Sequence, residues 1–306
     1  MKMTKFTFPS EEKDLQISAL KFLPEGEAGG IVVLIHGMSE KKERYDNFAR
    51  FLCDNGYSVY INDHIGHGAS LKNDITPGYF GKNNAGGNIF VKDVHKLSDI
   101  ARKDNPGKKL VAFGHSMGSF VARLYTLNYQ DELSGVIYCG TSGPQPVDAA
   151  IILSEMLIKM KGEKHISPLL SKMAFAGYNS KTEKRTGNDW LSRDTKVVDA
   201  YEADPLCGFP FTVSGFHDMF TMLKKVMAKD WFSAIRSSLP ILVISGSMDP
   251  VGNYSKGIKK FENSMREAGL NPQVILYENA RHEILNELQK EDVFKDVLNF
   301  LNDCVK

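Results

Sequence analysis

The chain has 306 residues, 42% of them hydrophobic and 25% charged, with 38 basic against 37 acidic side chains and a formal charge of +1. That length suffices for one large α/β domain with a substantial core, and so even a balance excludes a general pull toward nucleic acid. No apolar stretch has the length of a signal-peptide core or of a membrane span, the latter about 18 residues, so a soluble, cytoplasmic protein is expected. Cys53, Cys139, Cys207 and Cys304 are scattered, with neither a C-x-x-C pair nor ligand spacing to a histidine. Neither a disulfide framework nor a structural metal is expected from them.

Taken in order, Phe6-Thr7-Phe8 and the run from Gln16 to Phe22 alternate weakly, as an antiparallel pair at a sheet edge does. Ile31 to Ile35 is continuously apolar and predicts a strand buried on both faces, ending in His36-Gly37-Met38. Tyr45, Phe48, Phe51 and Leu52 give a helical stripe that stops at Asn55-Gly56. The next strand is Tyr57 to Asp63, followed by the loop His64-Ile65-Gly66-His67-Gly68-Ala69-Ser70. Its Gly66-x-Gly68 lacks the third glycine and the following helix of a dinucleotide fingerprint and reads as turn chemistry. Val91, Val94, Leu97 and Ile100 predict a helix, Lys109 to Phe113 a strand, Phe120, Leu124 and Leu127 a helix, and Gly135 to Cys139 a strand. That alternation implies a parallel sheet with helices on both faces.

From about Gly143 to Gly215 the strand pattern disappears. Ile151 to Met160 reads as an apolar, Met-bearing helix and Leu169 to Phe175 as another, so residues 144–215 are expected to be a helical cap inserted into a core of 1–143 and 216–306. Afterwards Phe220, Leu223, Val226 and Met227 predict a helix, Ile241 to Gly246 a strand, Phe261, Met265 and Ala268 a helix, Val274 to Tyr277 the last strand, and Phe294 to Leu301 a closing helix. No internal repeat appears.

The chemistry centres on Gly114-His115-Ser116-Met117-Gly118, a Gly-x-Ser-x-Gly turn between a strand and a helix. Such a turn forces the serine into strained backbone angles and crowds the residues two before and two after it, where glycine removes a Cβ. The helix beyond it aims free N–H groups and its positive dipole end at negative charge formed beside Ser116, the arrangement of an acyl-transfer nucleophile. A nucleophilic serine needs a base and an acid to orient that base, and after this turn they follow in the order Ser, acid, His. Of the eight histidines only His282 follows the last strand; His115 is expected to be turned away from Ser116 by the bend. Asp249, three residues beyond Gly246 and held by Pro250, lies at the end of an adjacent strand, whereas the strand ending at Cys139 offers no carboxylate before Asp148. The two oxyanion donors are then the N–H groups of Met117 and, after the strand ending at Ile35, Met38.

Together, Gly114-His115-Ser116-Met117-Gly118, His36-Gly37, the segment Asp63 to Ser70, Asp249-Pro250 and Arg281-His282-Glu283 resemble the α/β-hydrolase superfamily, and within it the monoacylglycerol lipase and lysophospholipase branch. The resemblance implies Ser116 as nucleophile, Asp249 as acid, His282 as base, and Met38 and Met117 as oxyanion donors. Many relatives carry a small residue in place of Met38 and a histidine in place of Lys41, a change that affects pocket shape more than the backbone donor. A cofactor-free serine hydrolase of carboxylic esters is expected, acting on a small-molecule lipid ester, with monoacylglycerols ahead of lysophospholipids. The apolar surplus of Ile151 to Met160 is expected to line a tunnel one chain wide, and a basic, apolar cap rim to touch membrane or micelle surfaces. A small-ester carboxylesterase and a proline-type aminopeptidase share this fold and triad. A binding protein on a retired hydrolase fold would not need to keep a triad.

Overall fold

The apolar runs pair into one sheet, seen in a computed structural model that describes residues 1–71, 76–82 and 86–306. Its strands are β1 (Lys2–Pro9), β2 (Gln16–Leu23), β3 (Gly30–Ile35), β4 (Tyr57–Asn62), β5 (Leu110–His115), β6 (Gly135–Cys139), β7 (Ile241–Gly246) and β8 (Gln273–Tyr277), in the order β1-β2-β4-β3-β5-β6-β7-β8. β1 and β2 form the antiparallel edge, and β2 pairs antiparallel with β4. From β4 to β8 every pairing is parallel. β3 to β7 are buried along their whole length, as their continuous apolar runs require, while β1 alternates and is largely exposed.

The helices are α1 (Asp46–Asp54), α2 (Asn88–Asp104), α3 (Met117–Tyr129), α4 (Asp148–Lys161), α5 (Pro168–Ala174), α6 (Thr195–Ala203), α7 (Val213–Met227), α8 (Lys229–Ala234), α9 (Lys256–Glu267) and α10 (Lys290–Val305). α1, α2, α9 and α10 each bury one stripe, whereas α3 is buried on every face from Met117 to Thr126. Phe48 and Leu52 of α1 and Phe294, Val297 and Leu301 of α10 pack with Val32, Leu34 and Phe113 on one face. Val94 and Leu97 of α2, Val121 and Tyr125 of α3, and Ile258 and Phe261 of α9 pack with Val33, Ala112 and Val136 on the other. The result is the α/β-hydrolase fold, with the carboxyl ends of β3, β5, β6, β7 and β8 opening to one edge.

Between β6 and α7 the described chain forms α4, α5 and α6 with short 3-10 turns. One expectation fails here. Ile152, Met156 and Met160 of α4 are 57%, 53% and 69% exposed, so the apolar surplus of this helix faces outward and does not line a tunnel. The buried side of α4 is narrower: Ile151, Leu153, Leu157 and Ile158 pack on the core, and the helix lies against α7.

Candidate active site

The bend after β5 is as tight as its glycines imply. Ser116 has φ 54° and ψ −123°, a region that costs a residue with a side chain on the order of 1–3 kcal/mol. Three bonds hold it there: Ser116 N–H donates to Cys139 O at 2.9 Å, and Ser116 O accepts Ser119 N–H at 2.8 Å and the Ser119 hydroxyl at 2.6 Å. A Cβ on Gly118 would press into the carbonyls of Ile35 and His36, and one on Gly114 into Gly118 O, so neither position admits a larger residue without moving backbone.

At the end of β7, Asp249 is fully buried. One of its oxygens accepts Val251 N–H at 2.9 Å. The other lies 3.0 Å from His282 Nδ1 and accepts the Ser245 hydroxyl at 3.3 Å. An ionised acceptor at that nitrogen fixes the proton on Nδ1 and leaves Nε2 free to accept one. His282, 2% exposed, and Ser116 line the same cavity. The structure thus brings together Ser116, Asp249 and His282 from the ends of three strands. Asp148, the other carboxylate after β6, sits on α4 in an exposed ion pair with Lys224.

The loop after β3 is braced by several hydrogen bonds. Gly37 N–H donates to Glu40 at 2.5 Å and Ser39 N–H to His67 Nε2 at 3.2 Å. Ser39 O accepts Gly208 N–H at 2.9 Å and the Tyr201 hydroxyl at 3.0 Å. Among the described residues no acceptor takes the N–H of Met38, between them, or of Met117 at the start of α3. The segment from Asp63 to Ser70 is part of this brace: Asp63 binds Lys42 Nζ at 2.5 Å, Lys42 N–H at 2.8 Å and Ala69 N–H at 2.8 Å. Gly66 and Gly68 have φ of 76° and 46°, so they serve the turn, as expected. Lys41 pairs with Asp204 and is not part of the cavity wall.

Sequence reasoning missed two groups here. Glu40, 4% exposed, accepts the Tyr45 hydroxyl at 2.8 Å and faces Arg44, which also pairs with Glu283 and covers the Tyr201 ring. Burial opposes its carboxylate, but His115 and then Arg44 outweigh that and hold its pKa below the ordinary value. His115, expected to be turned away from Ser116, lines the same cavity and packs on the His282 ring at 4.8 Å. Its Nδ1 lies 3.5 Å from Glu40 and its Nε2 3.3 Å from His282 O. Burial lowers its pKa, and the bond and charge of Glu40 raise it further, to a net value above the ordinary one.

The cavity measures about 1050 Å³. Its lining includes the apolar side chains of Met38, Met117, Phe120, Val147, Met219 and Leu223 as well as Ser116, and the side chains of Trp190 and His115, which pack on the His282 ring, with Glu40 and Glu283. These apolar residues come from the loop after β3, α3, α7 and the segment before α4, not from the long apolar face of α4.

Residues 26–289 match the family described as serine aminopeptidase, S33. The chain is 28% identical over 281 residues to the monoacylglycerol lipase of Mycolicibacterium smegmatis, covering 91% of this chain and 90% of that one. It is 28% identical over 283 residues to the monoglyceride lipase of Mus musculus, covering 92% and 84%. It superposes on a highly thermostable carboxyl esterase from Bacillus coagulans, solved in complex with glycerol, with a TM-score of 0.94 and 28% identity over 100% of both chains. With the strained serine at the β5–α3 bend and this likeness along nearly its whole length, the chain belongs to the serine aminopeptidase, S33 family of α/β-hydrolases and is of the esterase and lipase type.

Proposed function

We propose that the protein hydrolyses single-chain lipid esters, monoacylglycerols ahead of lysophospholipids, through Ser116, His282 and Asp249. Ser116 Oγ bonds to the ester carbonyl carbon while His282 Nε2 takes its proton, and Asp249 stabilises the imidazolium. The N–H groups of Met38 and Met117 receive the oxyanion. As the carbon–oxygen bond to the alcohol breaks, Nε2 returns the proton to the leaving alcohol; water then releases the acyl group by the same route.

The observation that carries this reading is the pairing of the His282–Asp249 bond with apolar lining in the cavity of about 1050 Å³ that Ser116 shares. Relatives named as monoacylglycerol lipases support the substrate class. A proline-type aminopeptidase would need a free carboxylate to receive the substrate ammonium. Glu40 and Glu283 lie on the wall, but Arg44 engages both, which favours the ester.

Residues 144–215 serve as the cap. Ile152, Met156, Met160, Leu169, Met173 and Phe175 are exposed there, Met173 and Phe175 also lining the cavity, and Lys159, Lys161 and Lys172 lie on the same helices. That composition suits transient contact with a membrane or micelle carrying the substrate. The helices are not spans: among the described residues none is long and apolar enough to cross a membrane.

The test is kcat/KM across saturated monoacylglycerols and nitrophenyl esters from acetyl to palmitoyl. Each added methylene buried on the apolar wall contributes up to ~0.8 kcal/mol, so specificity climbs with chain length until the wall is covered. A maximum at acetyl with a steady fall would leave a small-ester carboxylesterase, and faster turnover of an aminoacyl-proline peptide would leave the peptidase.

A further inference from the structure

The loop that carries His282 is tied to the cap more heavily than to its own turn. His282 N–H and Glu283 N–H donate to Trp190 O and Leu191 O at 3.3 and 2.7 Å. The Arg281 guanidinium donates to Asp189 O at 2.8 Å and Ser192 O at 3.1 Å. The Trp190 indole packs on the His282 ring with centroids 5.0 Å apart. The cap segment itself is stiff: the Asp189 carboxylate accepts Thr186 N–H and its hydroxyl at 3.0 and 2.8 Å, and Asn179 accepts Trp190 N–H at 2.9 Å.

Glu287 sits where the two pieces join. It is 1% exposed and lies outside the cavity wall, so it touches no substrate. Oε1 accepts the N–H groups of Arg281 and Arg193 at 2.9 and 3.0 Å; Oε2 accepts Arg193 Nε and Leu288 N–H at 3.0 Å each. A carboxylate taken so fully out of water is a costly way to join two loops, and an apolar contact of the same volume often serves stability as well. What four directed bonds add is a fixed geometry.

We propose that Glu287 is a positioning residue for the catalytic base: through Arg193 and the Arg281 N–H it locks the cap segment 189–193 onto the His282 loop, so that Trp190 holds the imidazole in line with Asp249 and Ser116. The proposal rests on His282 being the base. It divides the cap into a fixed arm, residues 189–193, that completes the catalytic geometry, and α4, whose Ile152, Met156 and Met160 face outward. A catalytic group displaced by about 1 Å loses on the order of 10² in rate, so the lock is read in kcat.

The variants are Glu287→Gln, which keeps volume and one acceptor, and Arg193→Gln, at the half-exposed end of the pair, which is the fallback where the first fails to fold. Each is assayed well below its own Tm for kcat and KM on nitrophenyl butyrate and for the rate of fluorophosphonate labelling. The expected result is a fall in kcat of tenfold or more with KM within twofold, the labelling rate falling in the same proportion. A lower Tm with unchanged kcat and labelling would make Glu287 a structural strut and overturn the proposal, as would a change confined to KM. Parent protein that takes no label would instead remove the serine hydrolase reading on which the proposal stands, so the two failures are distinct.

Discussion

Replacing Asp249 by asparagine changes one atom in a fully buried site and separates orientation from charge. With its carbonyl kept on Val251 N–H, the new amide points its N–H groups at His282 Nδ1, 3.0 Å away. A donor facing Nδ1 drives the ring proton to Nε2, and that tautomer cannot accept the proton of Ser116. Turning the amide over restores the tautomer but sets its NH₂ against Val251 N–H, leaving a buried donor unmet at ~1–3 kcal/mol. Even then no charge stands opposite the imidazolium, in a place where no water screens the loss. The same change in the serine protease triad costs about 10⁴ in kcat, or ~5 kcal/mol, and the unmet bond plus the missing charge account for a penalty of that size. The assay is nitrophenyl butyrate hydrolysis by Asp249→Asn, with thermal unfolding as the control for an intact fold. The variant is expected to lose three to four orders of magnitude in kcat, roughly the span between those costs. A kcat within tenfold of the parent would refute the assignment, since Asp148 is engaged by Lys224 at the surface.

Gly118→Ala drives a Cβ into the carbonyls of Ile35 and His36, so unfolding in urea is expected to show a loss of about 3 kcal/mol together with reduced turnover; unchanged stability would mean the bend is looser than described. The pH dependence of stability gives a test that avoids substrate. Burial lowers the pKa of His64, whose ring nitrogens have no described partner, and pushes that of His67 down to about 3. Depressed folded values mean that this stability is present above the unfolded value of about 6.5 and is lost as pH falls toward the folded one. His64→Phe, against Phe90, is therefore expected to lose about 1 kcal/mol less than the parent between pH 6 and 5 in urea titrations, and equal losses would contradict it.

The sheet was legible because β3 to β7 are buried along their whole length and therefore read as largely apolar runs, each ended by turn residues. The placement of Ser116, Asp249 and His282 after β5, β7 and β8 was legible for a related reason, since strand ends can be found in sequence. The lining of the cavity was not. An apolar helix such as α4 shows how much surface seeks burial, not which neighbour supplies it, and Ile152, Met156 and Met160 remain more than half exposed. α6 escaped notice because only Val198 and Tyr201 of its nine residues are buried, too thin a stripe to register. Glu40, His115 and Glu287 carry no local signature either. Glu287 meets Arg193 across 94 positions, and His115 meets His282 across 167, so their roles exist only once the strands and cap are assembled.

The central claim, that Ser116 is an activated nucleophile, is tested most directly by incubating the folded protein with a fluorophosphonate probe and mapping the adduct by peptide mass spectrometry. One adduct per chain on the peptide containing Ser116, absent from Ser116→Ala and strongly slowed in His282→Ala, is the result expected. Folded protein that takes no label, or that carries it on another serine with Ser116 untouched, would contradict the account.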